Sequence, residues 1–335
     1  MLKTMEKKET YRQHYVPRSY LKHFSIERKK DEYQIGVIDR ELQKNPFLNN
    51  ITKVCAENDI YTLKNETEEQ RQLIENFYGI LFDDNYNKAY SILTDPKINE
   101  IETEDARLII SIAITLLFRN PKLVNIHNDT MYRAFEQVYG LAKKMNKEYF
   151  IYENVKINIE GKTLDDIYKD YVSKTKESIT LSQIEFALKL IELRKDDGIN
   201  VVKLCEEDHS LISSDNPIVL YYQNREIIAP FSIDTTIKMP IDKSHNLLIY
   251  PKDKYTIKNR ITRINHTKTL SKREMISSNR EQHTNAIRFL LGDKENLELY
   301  KYYFNNQDKI FTESEITELR TLDKKAQEIM KKHFA

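Results

Sequence analysis

The sequence predicts an α+β fold with a helical middle, a small mixed or antiparallel sheet in its C-terminal half, and closing helices. Three observations predict it. Apolar residues recur at helical spacing through much of 67–197, short β-rich runs separated by turn residues fill 199–251, and helical patterning returns over 270–332. Residues 1–10 read as a disordered tail. The remaining 11–335 read as one interwoven α+β domain, with the N-terminal segment packed beside the sheet; a division into two domains is the alternative.

Pro17 suits a first helical turn, so a short helix is expected to follow it. "YQIGVID" alternates and is β-branched, which predicts a strand, and "DIYTL" is a second short strand candidate. "TEEQ" at 67–70 has the pattern of a capping box. Behind it Leu73, Ile74, Phe77, Ile80, Leu81 and Leu93 follow helical spacing up to Asp95-Pro96. "LIISIAITLLF" (108–118) is too short to span a bilayer and predicts a helix buried on nearly all sides, over 104–119. Asn120-Pro121 stops it, and an amphipathic helix is expected over 122–146. "SQIE" at 182–185 is expected to open a further helix that Asp196-Asp197-Gly198 closes, with Gly198 just past its end. "INVVKL", "SLISSD", "PIVLYY", "TTIKMPI" and "NLLIY" predict a sheet of about four or five strands. Residues 270–292 read as helix, and "TESE" at 312–315 caps a last one.

Composition narrows the class. Among 335 residues, 40% are hydrophobic and 31% charged, as expected for a folded globular chain. Lys plus Arg is 53 against Asp plus Glu 52, so no global basic field advertises nucleic acid, although a local basic groove is compatible with these totals. Two cysteines, Cys55 and Cys205, point to a reducing cytosol, and the charged N-terminus does not read as a signal peptide. No nucleotide-binding glycine loop, zinc pattern or hydrolase elbow is present. Arg260 and His266 in "RITRINH" approach the Arg–His spacing of some helical ribonucleases, but helix is poorly predicted there. Cys205 reads as a buried strand thiol, with His209 four residues on.

The chemistry-bearing residues concentrate elsewhere. "YRQHYVPRSYLKHFS" (11–25) holds His14, Tyr15, Pro17, Arg18 and Tyr20 within seven positions. In "LISSDNPIVLYY", Ser213, Ser214, Asp215 and Asn216 stack polar groups at a strand end before Pro217. They read either as a turn that bonds its own backbone or as a carboxylate placed to hold a metal or orient a base. Arg119 reads either as a cation on the last helical carbonyls or as a bidentate clamp for phosphate or carboxylate. Glu75 alone reads as a solvated helix-face residue. Most of the 21 tyrosines read as core edges with a wetted hydroxyl.

"HYVPRSYLKHF" resembles the N-terminal signature, approximately H-Y-V-P-x-x-Y-L-x-x-F, of the bacterial domain-of-unknown-function family 4238. His14, Tyr15, Val16, Pro17, Tyr20, Leu21 and Phe24 match it. The resemblance extends through "DIYTL", Ile74-Glu75, Arg119 with Pro121, the S-D-N-P run Ser214–Pro217, and Asn285 in "HTNAIRFLL". Arg18, where the family often has Gln, and Ile241, where it commonly has Leu, depart from the pattern. The resemblance implies that His14, Arg119 and Asp215 share a site. It also implies an ordered N-terminus, with Tyr15, Tyr20, Leu21 and Phe24 docked in the core while His14 and Arg18 point elsewhere.

Together these readings lead to a metal-dependent hydrolase, a phosphodiesterase or nuclease of the bacterial cytoplasm, with a toxin-like or phage-defence role by analogy. His14, Glu75, Arg119 and Asp215 are the expected catalytic set. Glu75 and Asp215 would hold Mg²⁺ or Mn²⁺, and Tyr15, Arg18, Ser214, Asn216 and Asn285 would contact substrate. The alternative is a non-catalytic sensor module that binds a nucleotide or a partner protein; the expected partners are nucleic acid or a nucleotide. A third reading makes the Tyr-rich helical middle a homo-oligomer interface. Catalysis requires His14, Glu75 and Asp215 to converge in an open cleft, whereas a structural network leaves them buried and mutually satisfied.

Overall fold

Strand β1 (Arg12–His14) is the first described element and leads through Pro17 into the one-turn helix α1 (Arg18–Leu21). The computed structural model describes residues 12–62, 67, 71–83, 85–152, 155–205, 210–222 and 234–334. The expected tail 1–10 and most of the "TEEQ" box lie outside them. Tyr20, Leu21 and Phe24 are fully buried and Tyr15 nearly so, as the signature predicts. Tyr20 fastens the segment: its hydroxyl donates to the Pro240 carbonyl at 2.8 Å and lies 2.8 Å from Ser213 Oγ. The hairpin β2 (Ile26–Lys29) and β3 (Glu32–Asp39) follows, then β4 (Phe47–Asn50) and β5 (Ala56–Asn58). β5 pairs antiparallel with β1, setting His14 opposite Ala56. The strand expected at "DIYTL" therefore ends before it begins. Asp59 takes a left-handed φ of 54°, which breaks the extended run.

The helix expected from residue 73 to Asp95 is broken. α2 (Leu73–Tyr78) runs into a π-turn at Gly79–Asp83, and α3 (Tyr86–Thr94) resumes after it. Ile74, Tyr78 and Phe82, four residues apart, are buried while Leu73 and Ile80 are exposed. α4 (Thr103–Arg119) is the buried helix, with every residue from 109 to 119 buried. Asn120 caps α5 (Pro121–Lys144) by accepting from the Lys122 amide. A hairpin, β6 (Tyr149–Tyr152) and β7 (Val155–Asn158), then leads to α6 (Leu164–Arg194). No break occurs at "SQIE". α6 runs 31 residues from a capping box made by Thr163 and Asp166. Phe135, Phe150, Ile159 and Tyr171 form a small separate core between these elements. Among the described residues no single helix is long and apolar enough to cross a membrane.

The remaining strands are β8 (Gly198–Lys203), β9 (Ser213–Ser214), β10 (Val219–Tyr222), β11 (Thr235–Pro240), β12 (His245–Tyr250), β13 (Ile261–Asn265) and β14 (Phe289–Gly292). The closing helices are α7 (Lys268–Asn285), α8 (Lys294–Asn305) and α9 (Glu313–Phe334). One sheet has the order β10-β11-β12-β8-β13, antiparallel except for the parallel β8–β13 pair. The other runs β2-β3-β14-β9, with β4 also on β3. The fold is thus α+β, with the N-terminal and C-terminal strands sharing a sheet.

"RITRINH" contains strand β13, with Arg260 and His266 flanking it, in keeping with the poor helix signal there. Three expectations change here. The helix expected over 270–292 stops at Asn285, and its last residues form β14. Cys205 follows β8 rather than lying in it and donates its thiol to the His266 carbonyl at 3.1 Å; His209 lies outside the described residues. Gly198 starts β8 and does not cap α6. A Cβ there would stand 2.2 Å from the Tyr250 ring, so the close approach of that ring is what requires glycine. The "TESE" reading holds: Thr312 and Glu315 cap α9 reciprocally. One apolar core joins the signature residues Val16 and Phe24 to α4 and to Val201, Met239 and Leu247 of the five-stranded β8 sheet.

Candidate functional site

Arg119, the last residue of α4, organises a polar cluster beneath the N-terminal signature. Its side chain is 1% exposed, because α4 is buried up to its end. The guanidinium donates to Asp83 Oδ2 at 3.1 Å and reaches Glu75 Oε1 at 3.5 Å. The rings of Tyr78 and Tyr61 lie 5.3 and 5.9 Å from its Cζ, and the Tyr61 hydroxyl donates to its main-chain carbonyl. The π-turn places this set: α2 carries Glu75, and the irregular turn ends at Asp83. Asp83 is also held by Ser19 of α1, whose hydroxyl donates to Oδ1 at 3.0 Å.

His14 completes the cluster from β1. Its Nε2 sits 3.3 Å from the Ile51 carbonyl. A carbonyl can only accept, so Nε2 carries the proton and Nδ1 is left as a bare acceptor. Burial, with the nearby charges of Arg18 and Arg119, lowers the imidazole pKa to about 4 against the opposing pull of the Ile51 carbonyl and Asp83. Burial moves Glu75 the other way, upward, against the attraction of Arg119. Two polar atoms in the cluster, Arg119 Nε and Glu75 Oε2, are buried with no hydrogen-bond partner among the described residues. Asp83, about one-third exposed, and the exposed Arg18 mark its solvent side.

Asp215 does not join this set. Its Oδ1 accepts the Ile287 amide at 2.8 Å, and its Oδ2 accepts those of Arg288 and Phe289 at 2.8 and 3.0 Å. Its own amide donates to the Phe289 carbonyl at 3.0 Å. The carboxylate thus holds the bend between α7 and β14, which is the turn reading of the S-D-N-P run in tertiary form. Burial raises the Asp215 pKa while the amides oppose it. Tyr15 points to this side as well, sharing with Asp215, Cys55 and Arg288 the wall of a cavity of about 380 Å³. Ser214 donates to Gln282 Oε1 at 2.8 Å.

The metal pair expected from Glu75 and Asp215 therefore does not form. The two carboxylates serve different partners, and no group of three or more His, Cys, Asp or Glu among the described residues is arranged to hold a metal ion. The donor set does not fit a Mg²⁺ or Mn²⁺ centre, which calls for several converging oxygen ligands.

Asn216 and Asn285 do meet, away from His14. Asn216 Nδ2 donates to the Asn285 carbonyl at 3.0 Å, and Asn285 Nδ2 donates to the carbonyls of Asn216 and Ile218 at 2.6 Å each. Lys122 Nζ donates to Asn285 O and Oδ1, both at 3.0 Å. Both asparagines and the lysine line a cavity of about 700 Å³.

Of the expected residues, the fold gathers His14, Glu75, Arg119 and the nearby Arg18. It places Asp215 and Tyr15 at a second locus, and Asn216 and Asn285 at a third. Asp83, Ser19, Asn120 and Lys122 were missed. Only Asn120, standing between a buried helix and a proline, carried a local signal, that of a cap.

The site is therefore an arginine-centred acid–base cluster in an α+β scaffold that ties its N-terminal signature to the S-D-N-P segment. The family model described as "Protein of unknown function (DUF4238)" matches residues 12–296, and the chain belongs to that family. No curated protein and no solved structure matches the chain.

Proposed function

We propose that the chain is a hydrolase of phosphodiesters, a nuclease or phosphodiesterase, that works by acid–base chemistry at His14, Glu75 and Arg119. One observation carries the reading: an imidazole with a free nitrogen lies within the electrostatic reach of a buried guanidinium, and that guanidinium and its partner carboxylate Glu75 each keep one polar atom without a partner among the described residues. Buried polar atoms without partners are rare, and a phosphate would supply what Arg119 Nε lacks.

In this reading the phosphate meets Arg119 and Arg18. His14 Nδ1 takes a proton from the attacking water as its oxygen bonds to phosphorus and the P–O bond to the leaving group breaks. The leaving oxygen departs with a proton from Glu75, whose raised pKa suits it to hold one. An imidazole lowered to about 4 is a weak base in the empty site. The phosphate charge offsets the two arginines that depress it and raises its basicity when substrate arrives. Metal assistance is not part of the reading. The free thiols of Cys55 and Cys205 fit a reducing compartment, so the cytosol is the proposed location.

The test is cleavage of RNA, single-stranded DNA, duplex DNA and bis(p-nitrophenyl) phosphate by wild type, His14→Gln and Glu75→Gln, in EDTA, Mg²⁺ and Mn²⁺. Wild type is expected to cleave at least one of them in EDTA. His14→Gln should lower kcat by roughly 100-fold or more with the unfolding midpoint retained. No cleavage by folded wild type under any condition would overturn the hydrolase reading. Cleavage that EDTA abolishes would overturn its metal-free form.

A further inference from the structure

A cavity of about 700 Å³ opens beside the α4–α5 junction, and its lining has two contrasting parts. Leu117, Ile218, Ile276 and Phe311 make an apolar floor. Lys122 and Arg280 bring cations to its wall. Glu281, the acidic residue of the lining, pairs at 3.0 Å with Lys238, which it shares with Glu274 at 2.8 Å. The cavity therefore favours an anion that also carries a flat apolar body. At about 700 Å³ it lies within the range of small-molecule and cofactor sites.

The polar groups are preset for such a ligand. Lys122 spends two hydrogens on Asn285, which fixes its ammonium at the wall and leaves the third free. Burial and the nearby Arg40 lower its pKa, as for a partly desolvated cation awaiting a counter-charge. Arg280 is exposed and makes no ion pair among the described residues. Asn216 is only 4% exposed and commits Nδ2 to the Asn285 carbonyl, while its Oδ1 has no hydrogen-bond partner among the described residues. A side-chain acceptor in the lining suits a ring-borne N–H, and two cations at the wall suit phosphate.

We propose that this cavity binds a nucleoside phosphate, its base against Leu117, Ile218 and Ile276 and its phosphates at Lys122 and Arg280. The site is separate from the His14 cluster and does not depend on the hydrolase reading. Such a ligand bridges α5, β10 and α7.

The experiment is fluorescence titration of the full chain with mant-ATP, with displacement by ATP, AMP, adenosine and inorganic pyrophosphate. Wild type, Lys122→Met, Arg280→Ala and His14→Gln are compared, each with its unfolding midpoint measured. Saturable binding is expected in wild type. ATP should compete better than either adenosine or pyrophosphate, since both halves of the ligand contribute. Kd should rise roughly 10-fold in Lys122→Met and in Arg280→Ala and stay unchanged in His14→Gln. Arg280 is exposed and unpaired, so its variant keeps the test decisive if Lys122→Met fails to fold. The proposal is overturned if mant-ATP does not saturate, if pyrophosphate competes as well as ATP, or if folded Arg280→Ala binds like wild type.

Discussion

Asn120 Nδ2 donates a 2.7 Å hydrogen bond to the main-chain carbonyl of Asp215. The same side chain accepts the Lys122 amide at 3.0 Å, so one buried asparagine caps α5 and ties it to the S-D-N-P segment. Arg119 immediately before it serves the His14 cluster, and Lys122 just after it lines the large cavity. Four consecutive residues thus connect the sites, because a proline after a buried helix forces a sharp change of direction there.

Asp215→Ala should be costly to stability. It removes the acceptors of three amides, those of Ile287, Arg288 and Phe289, in a buried bend. The expected loss is about 2–4 kcal/mol, read from the urea midpoint at constant m-value. A loss under about 1 kcal/mol would mean that water replaces the carboxylate.

Replacing Arg119 tests the buried cluster. Arg119→Met leaves Glu75 and Asp83 without their cation and should cost about 3–5 kcal/mol. Arg119→Lys should recover less than half of it, since a point charge cannot serve both carboxylates and lie against Tyr78 as the planar fork does. Equal stability of the lysine variant and wild type would show that charge alone matters.

Acid should weaken the fold between pH 7 and 4. His14 and His23 are each lowered to about 4, chiefly by burial, against about 6.5 when unfolded. Between those values the unfolded chain binds more protons, so stability falls as pH falls through the window and levels off below it. With solvent screening the effect is on the order of 2 kcal/mol per imidazole. Urea midpoints of wild type and His14→Gln against pH should differ in slope in that window, and parallel curves would refute the assignment for His14.

Gly36→Ala should disturb the sheet that joins the two ends of the chain. A Cβ on Gly36 would stand 2.7 Å from the Gly292 carbonyl oxygen and 2.9 Å from the Lys294 amide, both backbone atoms. β3 and β14 would have to move apart, at about 1–3 kcal/mol. Amide hydrogen exchange at 36–39 and 289–292 should quicken in the variant, and unchanged protection would show that the strands adjust freely.

The legible parts were those whose period is local. α4 was readable because its apolar run and Asn120-Pro121 define both length and end, and β11 and β12 because β-branched runs sit between turn residues. The break between α2 and α3 is not legible because a π-turn leaves no compositional mark. Strand β14 reads as helix because "RFLL" carries an apolar run that either period accommodates. Its pairing with β3 and the Asp215 carboxylate decide the matter. His14, Glu75 and Arg119 were recognisable as candidates, whereas Asp83 and Ser19 were not, since each matters only through a partner distant in sequence.

By itself the sequence determined the α+β class, the docking of Tyr20, Leu21 and Phe24, the buried α4 and its break, and the family to which the chain belongs. Those follow from hydrophobic period, proline geometry and residue pattern, all of which act over a few positions. The tertiary structure alone decided that Asp215 holds a backbone bend while His14 and Glu75 gather at Arg119, and that Asn216 and Asn285 face a separate cavity. The physical reason is that a carboxylate or an amide takes its role from the donors that burial brings to it. Those donors come here from strands and helices tens to hundreds of residues away.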